Sequence, residues 1–233
     1  RQGVSSKMHW LKIVALSAMA ALAVAAGPAA RRNWNTVIAV TPTGSHVLGN
    51  PAAKVKLTEF ISYTCNHCAQ FDREASDRLR VTGVAQGTVS VEVRHLVRDP
   101  IDMTVAMLTN CGPSAKFFLN HTAFLRSQDR WIAAANNAGD AQRQRWSTGD
   151  MPSRMRAIAS DFGFYSVMAS RGYDRTLVDR CLADRAMAQR LAAQTEAASK
   201  LGVTGTPSFL INGELLAGTH SWDMLQPQIE SRL

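Results

Sequence analysis

The 233-residue sequence has no basic run interleaved with aromatics, no internal repeat, and no low-complexity segment beyond an alanine-rich start. The first absence removes the usual footprint of nucleic-acid binding. The net charge is nevertheless +8, with three of its cations, Arg1, Lys7 and Lys12, in a first thirty residues that hold no acid. The rest reads as solubility. Cysteine is scarce, at four residues: Cys65, Cys68, Cys111 and Cys181. One pair has C-x-x-C spacing, the other does not, and no Cys/His cluster falls at finger spacing, which argues against zinc. An even count suits an oxidising compartment, where pairs persist.

What is present begins with a leader. Met8 is followed by a short basic region, an apolar run over 13–26 and small residues ending near Ala29-Ala30. That order reads as a secretory signal over 1–30. The run is short for a membrane-spanning helix, although an uncleaved anchor is the other reading.

Beyond the leader the chain alternates strand and helix. A β-type run at 36–40 leads into a Pro/Gly/Ser-rich loop through Gly44, Gly49 and Pro51. Residues 55–61 form a strand whose later part is apolar on both faces, as in a covered central strand. The next helix carries Phe71, Ala75 and Leu79 on one stripe, with Asp72, Arg73, Asp77 and Arg78 off it. Residues 89–94 alternate as a half-buried strand, which completes a βαβ unit.

Pro100 breaks this pattern, and from 101 to about 186 there is almost no strand signal. Helices are predicted around 103–108, 115–125, 131–135, 152–169 and 174–184. A further helix at 187–201 ends at Gly202. A strand from Pro207, the hairpin turn Asn212-Gly213, a return strand over 214–217 and a last helix N-capped by Ser221 follow. The predicted fold is α/β, with an all-helical insertion at 99–186 between two α/β segments, 36–98 and 187–233.

The chemistry concentrates where the central strand runs into its helix, at Phe60-Ile61-Ser62-Tyr63-Thr64-Cys65-Asn66-His67-Cys68. Two thiols at this spacing can close a small ring. The first sits at a helix N-terminus, where unpaired N–H groups and the macrodipole favour an anion and lower a thiol's pKa. Such a site is suited to disulfide exchange.

Together, Glu59 through Cys68 and the distant Gly205-Thr206-Pro207-Ser208-Phe209 resemble the DsbA-like thiol:disulfide oxidoreductases of the thioredoxin superfamily, over roughly 44–233. The resemblance implies a thioredoxin fold, with Cys65 as an exposed nucleophile, Cys68 as its buried partner and His67 as a support for the thiolate. It also implies a cis Pro207 that turns the Thr206 backbone toward a substrate peptide. Glu59 takes the family's place for a buried acid that moves the Cys68 proton. Asn66-His67 stands where the best-known relatives have Pro-His, and Thr206 where several have Val; both positions tune redox potential in the family.

Cys111 and Cys181 are expected to form a structural disulfide within the insertion, with two separate buried thiols as the alternative. His95 reads as a core histidine, while His46, His121 and His220 have no partner visible in the sequence. The function implied is a monomeric periplasmic oxidase that gives its Cys65–Cys68 disulfide to unfolded or partly folded secreted proteins. It would use no cofactor beyond that disulfide, bind no nucleic acid, and be reoxidised by a membrane quinone-linked partner. A reductase or isomerase of the same fold, and a redox-independent peptide-binding chaperone module, are the alternatives. The isomerases usually carry a preceding dimerisation domain, for which this chain leaves no room, so the oxidase is favoured.

Overall fold

Six of the seven residues of strand β3 (Val55–Ile61) are buried, all but Lys56. A strand covered on both faces needs partners on both edges. It finds β4 (Val89–His95) in parallel and β5 (Ser208–Ile211) antiparallel. Strands β1 (Ile38–Val40), β2 (His46–Gly49) and β6 (Glu214–Leu215) complete a six-stranded sheet in the order β1-β2-β4-β3-β5-β6. This is a computed structural model; it describes residues 32–233, so the leader predicted at 1–30 lies outside the described residues. Residues 33–233 form one compact unit.

The crossover from β3 to β4 is made by α1 (Asn66–Phe71) and its continuation through π-type turns at Asp72–Ser76 and Leu79–Val84. The predicted stripe Phe71, Ala75 and Leu79 is buried. Asp72, expected off that stripe, is buried as well, at 1% exposure. The wider turns shift positions away from the α-helical pattern. Ser76, Thr122 and Arg126 all donate hydrogen bonds to the Asp72 carboxylate, which offsets its loss of water. The helix tail lies so close to β4 that a Cβ on Gly83 would stand 2.5 Å from a Val89 methyl, so only glycine fits.

Two elements were not anticipated. Strand β2 falls in the stretch read as loop; it is four residues long and takes its extended form by pairing with β4 and β1. Helix α5 (Asp140–Ser147) is mostly polar and is anchored by Trp146, which packs on Phe162 and donates to Asp161. The remaining helices between β4 and β5 are α2 (Pro100–Thr109), α3 (Phe117–Arg126), α4 (Gln128–Asn136), α6 (Met151–Asp161), α7 (Phe164–Ser170), α8 (Arg175–Leu182) and α9 (Arg185–Lys200). The single helix expected over 152–169 is two, divided at Gly163, whose φ of +69° ends the first turn sequence. Asp99, Asp150, Asp174 and Asp184 each cap a helix by accepting a backbone N–H. Pro100 therefore opens α2, where its missing N–H costs nothing.

Phe124, Trp131, Phe162 and Phe164 form the aromatic centre of the helical region. Beyond β5, Asn212 and Gly213 both have positive φ, as the predicted hairpin turn requires. Ser221 does precede the last helix, α10 (Trp222–Glu230), but makes no side-chain cap bond.

Candidate active site

Strand β3 ends at Ile61, and residues 62–64 carry the chain to Cys65, the N-cap residue of α1. A loop without sheet partners needs other acceptors and donors for its backbone. Here the helical region supplies them. Tyr63 N–H donates to Asp102 Oδ1 at 2.7 Å, and the Ser62 hydroxyl to Asp102 Oδ2 at 2.6 Å. The Thr64 hydroxyl donates to Asp99 Oδ2 at 2.7 Å. Gln128, 1% exposed at the start of α4, donates from Nε2 to the carbonyls of Tyr63 (2.6 Å) and Cys65 (2.9 Å). The Tyr63 hydroxyl donates to Thr109 at 3.1 Å and meets His121 Nδ1 at 2.9 Å.

The Cys65 thiol donates to the Thr206 carbonyl at 3.2 Å, and the Thr206–Pro207 peptide bond is cis. The proline loop thus lies directly against the first cysteine. It leaves Cys65 only 4% exposed, so the expectation of an open sulfur is corrected: the Thr206 segment covers it. The Cys65 pKa falls to about 5, chiefly through the hydrogen bond from the Cys68 thiol. The Thr206 hydroxyl, the Cys68 backbone N–H and the charge of Arg98 add to that effect, and together they outweigh burial, which acts the other way. Cys68 is 0% exposed; burial pushes its thiol well above the ordinary range, and donating to Cys65 pushes it further. Both sulfurs are free thiols. Asn66 and His67, between them, are exposed, and His67 makes no hydrogen bond among the described residues.

Glu59 lies in β3 opposite Val93 and Phe209 and is 5% exposed. Burial first, and the Asp72 charge second, raise its pKa to about 8. Its Oε1 has no hydrogen-bond partner. It borders a cavity of about 20 Å³ shared with Arg80, His121 and Thr122, enough for one water. Its charge is also among the causes that raise Cys68, which couples the two groups.

Three histidines that lacked partners in the sequence acquire them. His121 meets Tyr63, His46 stacks on Phe117 at 3.9 Å, and His220 Nδ1 donates to the Pro207 carbonyl at 2.8 Å. His95 is buried and bonded to Gln194. Cys111 and Cys181 are joined by a disulfide, Cα–Cα 5.6 Å, between the end of α2 and α8. The site therefore gathers Cys65, Cys68, Thr206, Pro207 and Glu59, leaves His67 facing outward, and keeps the second pair apart. Arg98, Asp99, Asp102 and Gln128 were not singled out in the sequence, and His220 was named there only as a histidine without a partner. The Asp99-Pro100 pair was a readable helix start, but its tie to Thr64 had no local signal. Among the described residues no group of three or more His, Cys, Asp or Glu could hold a metal, and no helix is long and apolar enough to cross a membrane.

Comparison with known proteins gives a family match, described as thioredoxin, over residues 41–231. The crystal structure of a protein-disulfide isomerase from Novosphingobium aromaticivorans is 56% identical, with a TM-score of 0.78, covering 81% of this chain and 97% of that one. Alpha-DsbA1 of Wolbachia pipientis is 21% identical with a TM-score of 0.61 over 82% of this chain and 92% of its own, a likeness of fold. A Rickettsia bellii (strain RML369-C) protein, provisionally named a protein-disulfide oxidoreductase, is 25% identical over 72% of this chain. The chain spans 56% of the length of that curated relative.

Proposed function

The chain belongs to the thioredoxin family, and from that premise we propose that it is a protein thiol:disulfide oxidoreductase that runs as an oxidase, passing a Cys65–Cys68 disulfide to folding proteins. The observation that carries this reading is the asymmetry of the two thiols: Cys65 caps the start of α1 with its sulfur 3.2 Å from the Thr206 carbonyl before the cis proline, while Cys68 is fully buried one turn on, an arrangement that lowers the first pKa and raises the second. A thiolate that is stable at neutral pH stabilises the reduced protein, and that makes the disulfide the better electron acceptor.

The reaction follows in two exchanges. A substrate thiolate attacks Cys65 Sγ of the disulfide; the Cys65–Cys68 bond breaks, a substrate–Cys65 bond forms, and Cys68 leaves as thiolate. Cys68 is buried and strongly favours its thiol, so it must take a proton. Glu59, protonated at neutral pH, is the donor we assign. A second substrate thiolate then attacks the substrate sulfur of the mixed disulfide, and Cys65 departs as the stabilised thiolate. Two electrons have passed from substrate to enzyme. The Thr206 backbone beside Cys65 is the edge we assign to the substrate peptide, a sequence-tolerant grip suited to many unfolded clients. Residues 1–30, read as a secretory signal, support a periplasmic location, with reoxidation by a membrane quinone-linked partner.

Isomerase action is the second reading, favoured by the name of the 56% identical relative. Both readings need Cys65, but an oxidase adds net disulfides to reduced substrate, whereas an isomerase rearranges disulfides already present with no net electron transfer; redox poise separates the oxidase from a reductase of the same fold. Equilibration of the full chain with glutathione is expected to leave the pair mostly reduced under conditions that keep thioredoxin oxidised. Reduced, unfolded substrate should gain disulfides stoichiometrically without added oxidant, and Cys65→Ser should abolish this by at least a thousandfold. A poise near that of thioredoxin would sink the oxidase reading, and substrate oxidation surviving Cys65→Ser would sink the enzyme itself.

A further inference from the structure

Arg98 stands between β4 and α2, beside the loop that carries Cys65, and the reaction above gives it no part. Its side chain is exposed yet fixed: Nε donates to Ser62 Oγ at 3.0 Å and Nη2 to Thr64 Oγ1 at 3.4 Å. Its backbone N–H donates to Asp102 Oδ2 at 3.0 Å, which holds the residue at both ends. The same two hydroxyls give their protons to Asp102 and Asp99. Each hydroxyl therefore turns its proton to a carboxylate and a lone pair to the guanidinium.

This arrangement has an electrostatic result. The Asp99 carboxylate accepts from Thr64 and the Asp102 N–H, and the Asp102 carboxylate from Ser62, Tyr63 N–H and Arg98 N–H. Arg98 makes no ion pair with either among the described residues. A guanidinium anchored by neutral hydroxyls keeps more of its field than one in contact with a carboxylate. Thr64, one of its anchors, is the residue before the nucleophile.

We propose that Arg98 is a positioning residue whose anchored charge stabilises the Cys65 thiolate and so strengthens the Cys65–Cys68 disulfide as an oxidant. Its charge is one of the causes that lower the Cys65 pKa, and the outward-facing His67 makes no bond to the sulfur that would replace it. The inference rests on Cys65 being the nucleophile and adds the cation that poises it. The equilibrium concerned is enzyme disulfide plus two glutathione thiols giving enzyme thiolate, thiol, a released proton and glutathione disulfide. Loss of the cation disfavours the right-hand side.

The test uses the full chain, with Cys65 ionisation followed by ultraviolet thiolate absorbance at low and high salt, and the glutathione equilibrium measured in parallel. The absorbance reads sulfur alone, so titration of Asp102, which burial raises to about 7, does not enter it directly. Arg98→Gln is expected to raise the Cys65 pKa by about half to one unit and to shift the glutathione equilibrium roughly three- to tenfold toward the oxidised protein. Arg98→Lys should recover part of this, and Thr64→Val, which frees one anchor, should move it in the same direction as Arg98→Gln by less. Because the charge is exposed, the gap between wild type and Arg98→Gln should shrink at high salt. An unchanged pKa in Arg98→Gln, or a shift indifferent to salt and not recovered by lysine, overturns the inference while leaving Cys65 as nucleophile. A wild-type Cys65 that titrates as an ordinary thiol removes the underlying reading instead.

Discussion

The two cysteine pairs of this chain live in opposite surroundings. Cys111 and Cys181 close a stretch of 70 residues between helices and are 1% and 8% exposed. The Tyr173 hydroxyl donates to the Cys111 carbonyl, and the Leu177 carbonyl lies near the Cys111 sulfur. Cys65 and Cys68 are three residues apart, so a bond between them adds little chain-entropy stabilisation. They have instead a helix start, a peptide carbonyl, a fixed cation and a buried acid around them. Sequence distance decides what a disulfide does for stability, and electrostatic asymmetry decides what it does for chemistry.

Replacing both Cys111 and Cys181 by Ala should cost roughly 4 kcal/mol, the chain-entropy value for a loop of this length. Below its lowered melting temperature the variant should oxidise substrate at close to the wild-type rate. Denaturant unfolding and substrate refolding, measured on the same preparation, check both parts. A variant that keeps its stability would show that the cross-link does not act on the unfolded chain.

Reducing Cys65–Cys68 should stabilise the protein, whereas losing Cys111–Cys181 destabilises it. A thiol with a folded pKa of about 5 and an unfolded value near 8.5 contributes stability that is complete above the unfolded value. That contribution falls as pH drops and is gone below about 5. Thermal melts of the two redox forms between pH 4 and 8 test it, with the second pair left oxidised in both. A reduced form less stable than the oxidised at pH 7 would contradict the titration assigned to Cys65.

Glu59 adds to that asymmetry, because it is a buried acid whose charge acts on Cys68. With a folded pKa of about 8, it keeps its proton on folding through a range where the unfolded chain has lost it. Its contribution therefore worsens as pH rises from about 4 to 8. Glu59→Gln should change stability little at pH 4, where both side chains are neutral, and should stabilise the protein progressively more toward pH 8, by about 4 kcal/mol on the linkage. The same change should slow exchange at Cys68 by removing the proton donor. Stabilisation of the variant without slowing would keep Glu59 as a buried acid and remove it from the reaction.

Much of this was legible in the sequence, and the reason is locality. β3, α1, the Asn212-Gly213 turn and the C-x-x-C pair are each written in a dozen neighbouring residues. The gaps are long-range. β2 is a strand because β4 is beside it, and α5 is held by one tryptophan packed on Phe162. Asp99 shows the limit well: one oxygen caps α2, as its place before Pro100 announces, while the other holds Thr64, 35 residues away. Gln128 reaches across 63 residues to the Cys65 carbonyl, and no periodicity marks it. The nucleophile was readable, but most of the frame that aims it was not.

The smallest effect lies in that frame. Thr206 Oγ1 is buried and makes no fully formed hydrogen bond, yet the hydroxyl stands close enough to Cys65 to draw its pKa down. A buried hydroxyl without a partner costs stability, and one aimed at a sulfur recovers that cost only when the sulfur is an anion. Thr206→Val should therefore leave the oxidised protein as stable or slightly more so. It should raise the Cys65 pKa by about half a unit and weaken the oxidant about threefold. Thr206→Ser, which keeps the hydroxyl, should stay near wild type. His67→Ala, made alongside, should shift the thiolate titration less than Thr206→Val does, because the imidazole points outward and the hydroxyl inward. A larger shift from His67 would mean that the exposed ring, and not the covering proline loop, governs the sulfur.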